Sequence, residues 1–222
     1  VAAHWLEQHV SLAEGERGAE ERASAISHGV AACLSVAAFA GILVSAKPPG
    51  LAIKLFGLSV FGITAVSLFT ISTIYHAARR PGRKRLFRLL DHVSIYLLIA
   101  GTYTPISLTL LHGAWGHVLL ALVWVLAAIG IAFKVFLMER FRRASLFSYL
   151  AMGWIILLNV PALLRAAPSG FLIWILAGGL FYTGGTVLYA AKKVPYNHAL
   201  WHLAVMAGTA CHIVAMALYI VP

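Results

Sequence analysis

His198 and His202 stand four residues apart at the start of the last apolar run of the chain. On a helix this spacing places both imidazoles on one face, one turn apart, which suits two ligands reaching for one metal ion. Val205, Thr209 and His212 continue the same face. Histidines in such a run also have plainer uses: capping a helix, bonding to a neighbouring helix, or sitting at the water boundary. Two further positions strengthen the metal reading. His76 ends the second apolar run and Asp91 begins the third, and the orientation of the runs derived below brings all of these residues to one depth. Three neutral imidazoles with an open fourth position describe a catalytic zinc site rather than a structural one. An ion there would lower the pKa of a bound water to about 7 and polarise a carbonyl. Asp91 would orient or deprotonate that water, or stand behind a histidine and fix its ring. Ser72, one turn before His76, would hold the water or a substrate oxygen. An all-imidazole shell favours zinc over iron or manganese. So near the membrane surface, the expected substrate is a lipid with an amide or ester close to its headgroup.

Each of these residues has an ordinary reading as well. His76 would serve as a helix C-terminal cap, Asp91 as an N-cap, and Ser72 would bond back to its own helix. Among the other histidines, His28 is expected to cap its helix or join a hydrogen-bond network, and His92 to lie on the surface. His112 and His117 fall on the opposite side and cannot reach the cluster. His212 lies ten residues beyond His202, about 15 Å along a helix, and reads as a polar contact between helices. His4 and His9 belong to the N-terminal tail.

The elements that must position these groups follow from composition. Of 222 residues, 61% are hydrophobic and 11% charged, against about 25% charged in soluble domains. This is an all-α, polytopic membrane protein. Seven apolar runs are legible, at 27–46, 51–77, 90–111, 115–137, 146–164, 171–191 and 199–221. Each approaches or exceeds the ~20 residues a helix needs to cross a bilayer, and helices satisfy their own backbone there. Pro48-Pro49-Gly50, Pro81-Gly82, Pro168-Ser169-Gly170 and Pro195 separate runs. Pro105 and Pro161 fall inside runs and are expected to kink them.

The net charge of +10 does not indicate nucleic acid, because the cations occupy short gaps between apolar runs. Fourteen Lys and Arg fall on the side of the N-terminus (Arg17, Arg22, six from Arg79 to Arg88, Lys134, Arg140, Arg142, Arg143, Lys192 and Lys193). Only Lys47, Lys54 and Arg165 fall on the other. That asymmetry predicts a cytoplasmic N-terminus and an external C-terminus. The Arg79–Arg88 cluster reads first as a topology anchor, and second as a site for anionic lipid headgroups. Residues 1–24 carry five glutamates and no uninterrupted apolar core, so they read as a cytoplasmic tail without a secretory signal, ahead of a membrane domain over 25–222. Cys33 and Cys211 lie inside apolar runs, form no CxxC pair and read as small buried residues. Trp115, Trp154, Trp174 and Trp201 read as interface anchors or lipid-facing filler.

Four segments together resemble the hemolysin III family: Glu21–Gly29 (ERASAISHG), Ser72–His76 (STIYH), Asp91-His92 followed by IYLLIAGTYTP, and His198–His202 (HALWH). That family is the bacterial branch of the progestin and adipoQ receptor (PAQR) superfamily, related to adiponectin receptors and alkaline ceramidases. The resemblance runs from Glu21 to the end of the chain, with Ser24 where relatives often carry Asn. It implies seven transmembrane helices in a plasma membrane and a cytoplasmic N-terminus. It also implies zinc on His76, His198 and His202, with Asp91 and Ser72 beside the metal water. The function it implies is zinc-dependent hydrolysis of a lipid amide or ester, ceramidase-like, in membrane lipid homeostasis. The alternative is a receptor or membrane-state sensor in which zinc is structural. A pore-forming haemolysin has little support, since the chain shows no amphipathic strands.

Overall fold

The computed structural model describes residues 2–12, 18–111, 113–137 and 142–222. These residues form helices and connecting turns, with no strand among them. Helix α1 spans Ala2–His9, α2 Gly18–Ser45, α3 Leu51–Ala77, α4 Pro81–Thr109 and α5 Ala114–Leu137. Helix α6 spans Arg142–Gly153, a 3₁₀ turn Ile155–Asn159, α7 Val160–Ala166, α8 Ser169–Ala190 and α9 Asn197–Tyr219. Five helices (α2, α3, α5, α8 and α9) are long and apolar enough to cross a membrane, and the bent α6–α7 pair makes a sixth if counted as one span. This is a multi-pass membrane protein. Helix α4 has the length, at 29 residues, but turns Ser94, Thr102, Thr104 and Ser107 into the interior, which dilutes its hydropathy.

Helix α3 packs against α2 and α4, α4 against α5, α8 against α9, and α2 against α9. The tightest approaches are built on glycine. A Cβ on Gly101 of α4 would lie 2.1 Å from Thr64 Oγ1 of α3. One on Gly130 of α5 would lie 2.3 Å from the Tyr96 ring of α4. Side chains absent at these points let the backbones close in, the usual means of joining helices where lipid offers no hydrophobic gain.

Three expectations from sequence need correction. The apolar pattern marks where a helix is greasy rather than where it starts. Helix α2 begins nine residues before the first apolar run, with Glu20 and Glu21 in its first turn, where acids complement the helix dipole. Helix α4 likewise begins at Pro81, in its N-terminal positions, ahead of residue 90. The described part of the N-terminal tail packs on α4. Val10 and Leu89 form a small apolar cluster with Trp5, Leu6 and Val93, while Arg85 donates to Val10 O (3.1 Å) and Arg88 to both Ser11 O and Ser11 Oγ. The basic cluster therefore spends part of its charge inside the molecule, leaving Arg79, Arg80 and Arg83 exposed. Arg17, Arg140 and His112 lie outside the described residues.

The third correction concerns the run 146–164, which is not one kinked helix. It breaks by 40° after Gly153. Pro161 does not interrupt a helix; it lies in the first turn of α7, where Asn159 Oδ1 accepts from Ala162 N at 3.1 Å. A proline with no N–H to offer suits a first turn. Tyr103 of α4 fills the break: its hydroxyl donates to Gly153 O (2.7 Å) and accepts from Ile156 N (3.1 Å).

Candidate metal centre and cavity

His76 comes from the last turn of α3, and His198 and His202 from the first two turns of α9. Their ligand-capable nitrogens lie within 4.8 Å of one another, close enough for one ion to sit among them. His76 and His202 are buried, at 4% and 2% exposure. The sequence reading thus named three residues from distant parts of the chain that the fold brings together. Sequence spacing explains half of this. The other half is the packing of α2 on both α3 and α9, which holds those two helix ends side by side.

Two residues that the sequence reading left out of the site complete it. Glu21 Oε2 lies 2.8 Å from His76 Nδ1, and Glu21 Oε1 accepts from Lys84 Nζ at 2.6 Å. A carboxylate on Nδ1 fixes the tautomer so that Nε2 carries the lone pair, the arrangement that supports a metal-binding imidazole. The neighbouring Glu20 Oε1 accepts from Tyr196 N (3.2 Å), and Tyr196 is a non-glycine residue held at φ +56° immediately before α9. Consecutive glutamates of α2 thus reach towards both helices that carry the histidines. His28, the second addition, stacks on His202 with ring centroids 3.6 Å apart. It is buried, and neither of its ring nitrogens has a hydrogen-bond partner among the described residues. Glu21, Ser24 and His28 are spaced three and four apart, and that helical signal was present in the sequence. It was hidden because residues 1–24 read as a tail.

The cluster opens on a cavity of about 320 Å³. His28, Ser72, Asp91 and His202 line one end, and the remaining wall is mostly aliphatic and aromatic side chains of α4, α6, α7, α8 and α9. Ser72 is fully buried and its Oγ has no partner among the described residues; the same holds for His202 Nδ1. Asp91 reaches the same wall but is only half-buried, its Oδ2 3.9 Å from His92 Nδ1. His92 is not a free surface residue. Its Nδ1 bonds Arg88 O at 2.8 Å, and its carbonyl accepts from Tyr149 Oη at 2.8 Å. Trp154 and Trp201 also line the cavity rather than facing lipid. His117 is exposed and remote, bonded to Gly113 O.

The donor set fits zinc. Three imidazoles converge, one with a carboxylate behind it, and buried polar atoms beside them lack partners, which is costly in a completed protein interior. A bundle of apolar helices with a histidine triad beside a greasy cavity defines a class: multi-pass membrane proteins with a histidine group that could hold a metal ion. The particular family follows from comparison. Residues 17–213 match the family model described as "Haemolysin-III related". The chain is 40% identical to "Hemolysin-3" of Bacillus cereus over 203 residues, covering 91% of this chain and 93% of that protein. It is 38% identical to the "Hemolysin-3 homolog" of Bacillus subtilis (strain 168), over 91% and 95% of the two chains. It is also 29% identical to "Monocyte to macrophage differentiation factor" of Homo sapiens, over 72% and 69%. The chain belongs to the hemolysin III family of the PAQR superfamily.

Proposed function

We propose that this protein is a zinc-dependent hydrolase of a lipid amide or ester bond, held in a plasma membrane by seven helices with the N-terminus in the cytoplasm. In this arrangement α4 and the bent α6–α7 pair complete the count, and the charge asymmetry sets the direction. The observation that carries the activity is the junction of two things in one place: the His76–His198–His202 triad and a largely apolar cavity of about 320 Å³, which would receive an acyl chain. His76, His198 and His202 would hold the ion. When bound, zinc supplies an acidified water and a Lewis acid for a carbonyl.

The residues of this chain do the rest. Glu21 keeps the His76 ring in register and, with Lys84, ties it to α4. Ser72 holds a substrate or water oxygen with a hydroxyl that otherwise has no partner among the described residues. Asp91 accepts a proton at the cavity wall and returns it to the leaving group. Leu68, Ile95, Leu98 and Ile99 exclude bulk water behind them. Arg79, Arg80 and Arg83 face the anionic headgroups of the same leaflet.

The test is zinc stoichiometry and fatty-acid release by the purified protein against a panel of ceramides, N-acyl lipids and glycerolipids. We expect about one zinc per chain and release that disappears in His198→Ala. Full zinc occupancy with no release from any lipid, joined to a fall in melting temperature on chelation, would instead assign the zinc a structural role in a sensor.

A further inference from the structure

Partway along the cavity, hydrogen bonds tie four helices to one another in turn. Tyr182 Oη of α8 donates to Thr209 Oγ1 of α9 (2.8 Å), whose own hydrogen goes to Val205 O (3.0 Å). One residue on, Thr183 Oγ1 accepts from Trp154 Nε1 at 3.0 Å. Trp154 stands at the break between α6 and the 3₁₀ turn. The backbone on either side of it is held by Tyr103 of α4, through Gly153 O and Ile156 N. The ties therefore run from α9 to α8, to α6 and to α4. Tyr182, Thr183, Trp154, Gly153, Ile156 and Tyr103 all line the cavity, so this belt forms part of its wall.

The depth of the belt follows from the register of α8 on α9. At the triad, the Tyr189 ring meets His198 with centroids 5.6 Å apart. At the opposite end of α8, a Cβ on Gly170 would fall 1.9 Å from the Tyr219 hydroxyl. The Tyr182–Thr209 bond lies between these two contacts. Thr209 is about 10 Å along α9 from His202 at helical rise. The cavity continues past the belt to Leu163 and Leu172, and Leu172 is about 16 Å along α8 from Thr183. A chain with its carbonyl at the triad thus crosses the belt partway along its length.

Trp154 is the fixed rung of this belt. Its indole bridges the α6 break and α8, and it lies against Gly179, where a Cβ would fall 3.1 Å from Cη2 and 3.2 Å from Cζ2. Tyr103 holds its backbone and Thr183 holds its nitrogen. Aliphatic lining such as Ile95, Leu163 and Leu172 can change rotamer to follow the outline of a bound chain. The indole cannot do so without breaking a hydrogen bond in apolar surroundings, which is costly. The bore of the cavity is therefore least adaptable at this depth.

Resting on the reading that the cavity takes an acyl chain, we infer that Trp154 is a specificity-determining residue that admits unbranched chains and turns away chains branched at the depth of the belt. A single extra methyl group is enough to matter: against a wall that cannot yield, it lowers affinity about tenfold or more.

The experiment uses the full chain in detergent and measures displacement of a fluorescent fatty acid by three long-chain saturated acids. These are a straight chain, its isomer with a methyl branch at mid-chain, and its isomer with a methyl branch at the far end. We expect the mid-branched acid to compete about tenfold less well than the other two. Trp154→Leu opens the wall at that depth and should bring the mid-branched acid level with the straight one. Thr183→Val keeps the size of every lining side chain but unties the indole, and should narrow the gap as well; it carries the test should Trp154→Leu fail to assemble. A merely structural tryptophan would change all three affinities together and leave their ratio alone. Equal competition by all three acids in the unaltered protein overturns the inference and leaves the lipid cavity standing. So does a penalty as large for the end branch as for the mid-chain branch, or a gap that survives both variants. If no fatty acid displaces the probe, the acyl-chain reading of the cavity falls and this inference falls with it.

Discussion

Thr102 and Thr104 of α4 donate to Leu98 O and Ala100 O, one turn back on their own helix, at 2.8 and 2.9 Å. Ser94 and Thr109 do the same with Asp91 O and Pro105 O. Around the histidine triad the treatment differs: Ser24 Oγ, Ser72 Oγ, both nitrogens of His28 and Nδ1 of His202 have no partner among the described residues. Apart from the part-buried Thr109, the residues of both sets are buried within one bundle. The hydroxyls of α4 lower the apolar character of a helix without needing anything beyond it, Ser107 being the exception on that helix. The polar groups at the triad cost stability as they stand, roughly 1–3 kcal/mol for each unsatisfied group. Under the proposed function, a bound ion and substrate would remove that expense. On that reading one set of polar residues is architecture, and the other is a receptacle.

The contrast can be broken most severely at a ligand. His202→Ala should remove bound zinc altogether, from about one ion per chain to background in elemental analysis, and abolish hydrolysis with it. Retention of stoichiometric zinc would show that the triad is not the receptacle. Glu21→Gln comes next. It preserves shape and removes the charge behind His76, and should weaken zinc binding by about 10–100-fold in a competition titration with a chelator. An unchanged affinity would make Glu21 a partner of Lys84 alone. On the architectural side, Gly101→Ala forces a methyl onto Thr64 and should lower stability by about 1–3 kcal/mol, read as an earlier thermal transition with zinc content intact. Smallest are two hydroxyl deletions of opposite sense, compared in zinc-free protein by thermal melting. Thr102→Val should cost less than about 1 kcal/mol. Ser72→Ala should be neutral or slightly stabilising, because it deletes a hydroxyl with no partner among the described residues, while still reducing turnover when zinc is restored.

How much of this was legible beforehand depends on which physical signal each part left in the sequence. Helices in lipid announce themselves by apolar length, so the runs at α3, α5, α8 and α9 agree closely with the structure. Histidines four apart announce themselves by spacing, so His198 and His202 stood out, and His76 followed from its place at a helix end. Glu21 and His28 left a weaker signal. They sit where a polar helix start is also a charged tail, and only tertiary packing of α2 on α3 and α9 distinguishes the two. The break at Gly153 was invisible to hydropathy, because Ile155–Leu158 are as apolar as any helix. What decides it is Asn159 capping a new helix and a phenol arriving from fifty residues upstream.

That phenol has a consequence for how the two walls of the cavity depend on each other. Interrupting a span in a medium without water strands a carbonyl and an amide, and here a single oxygen sutures both. Substituting phenylalanine at Tyr103 would undo the stitch from the far side, with no change in the sequence of the broken segment. The shape of the α6–α7 wall is thus written partly in α4, and these two stretches of the chain are expected to vary together rather than one at a time.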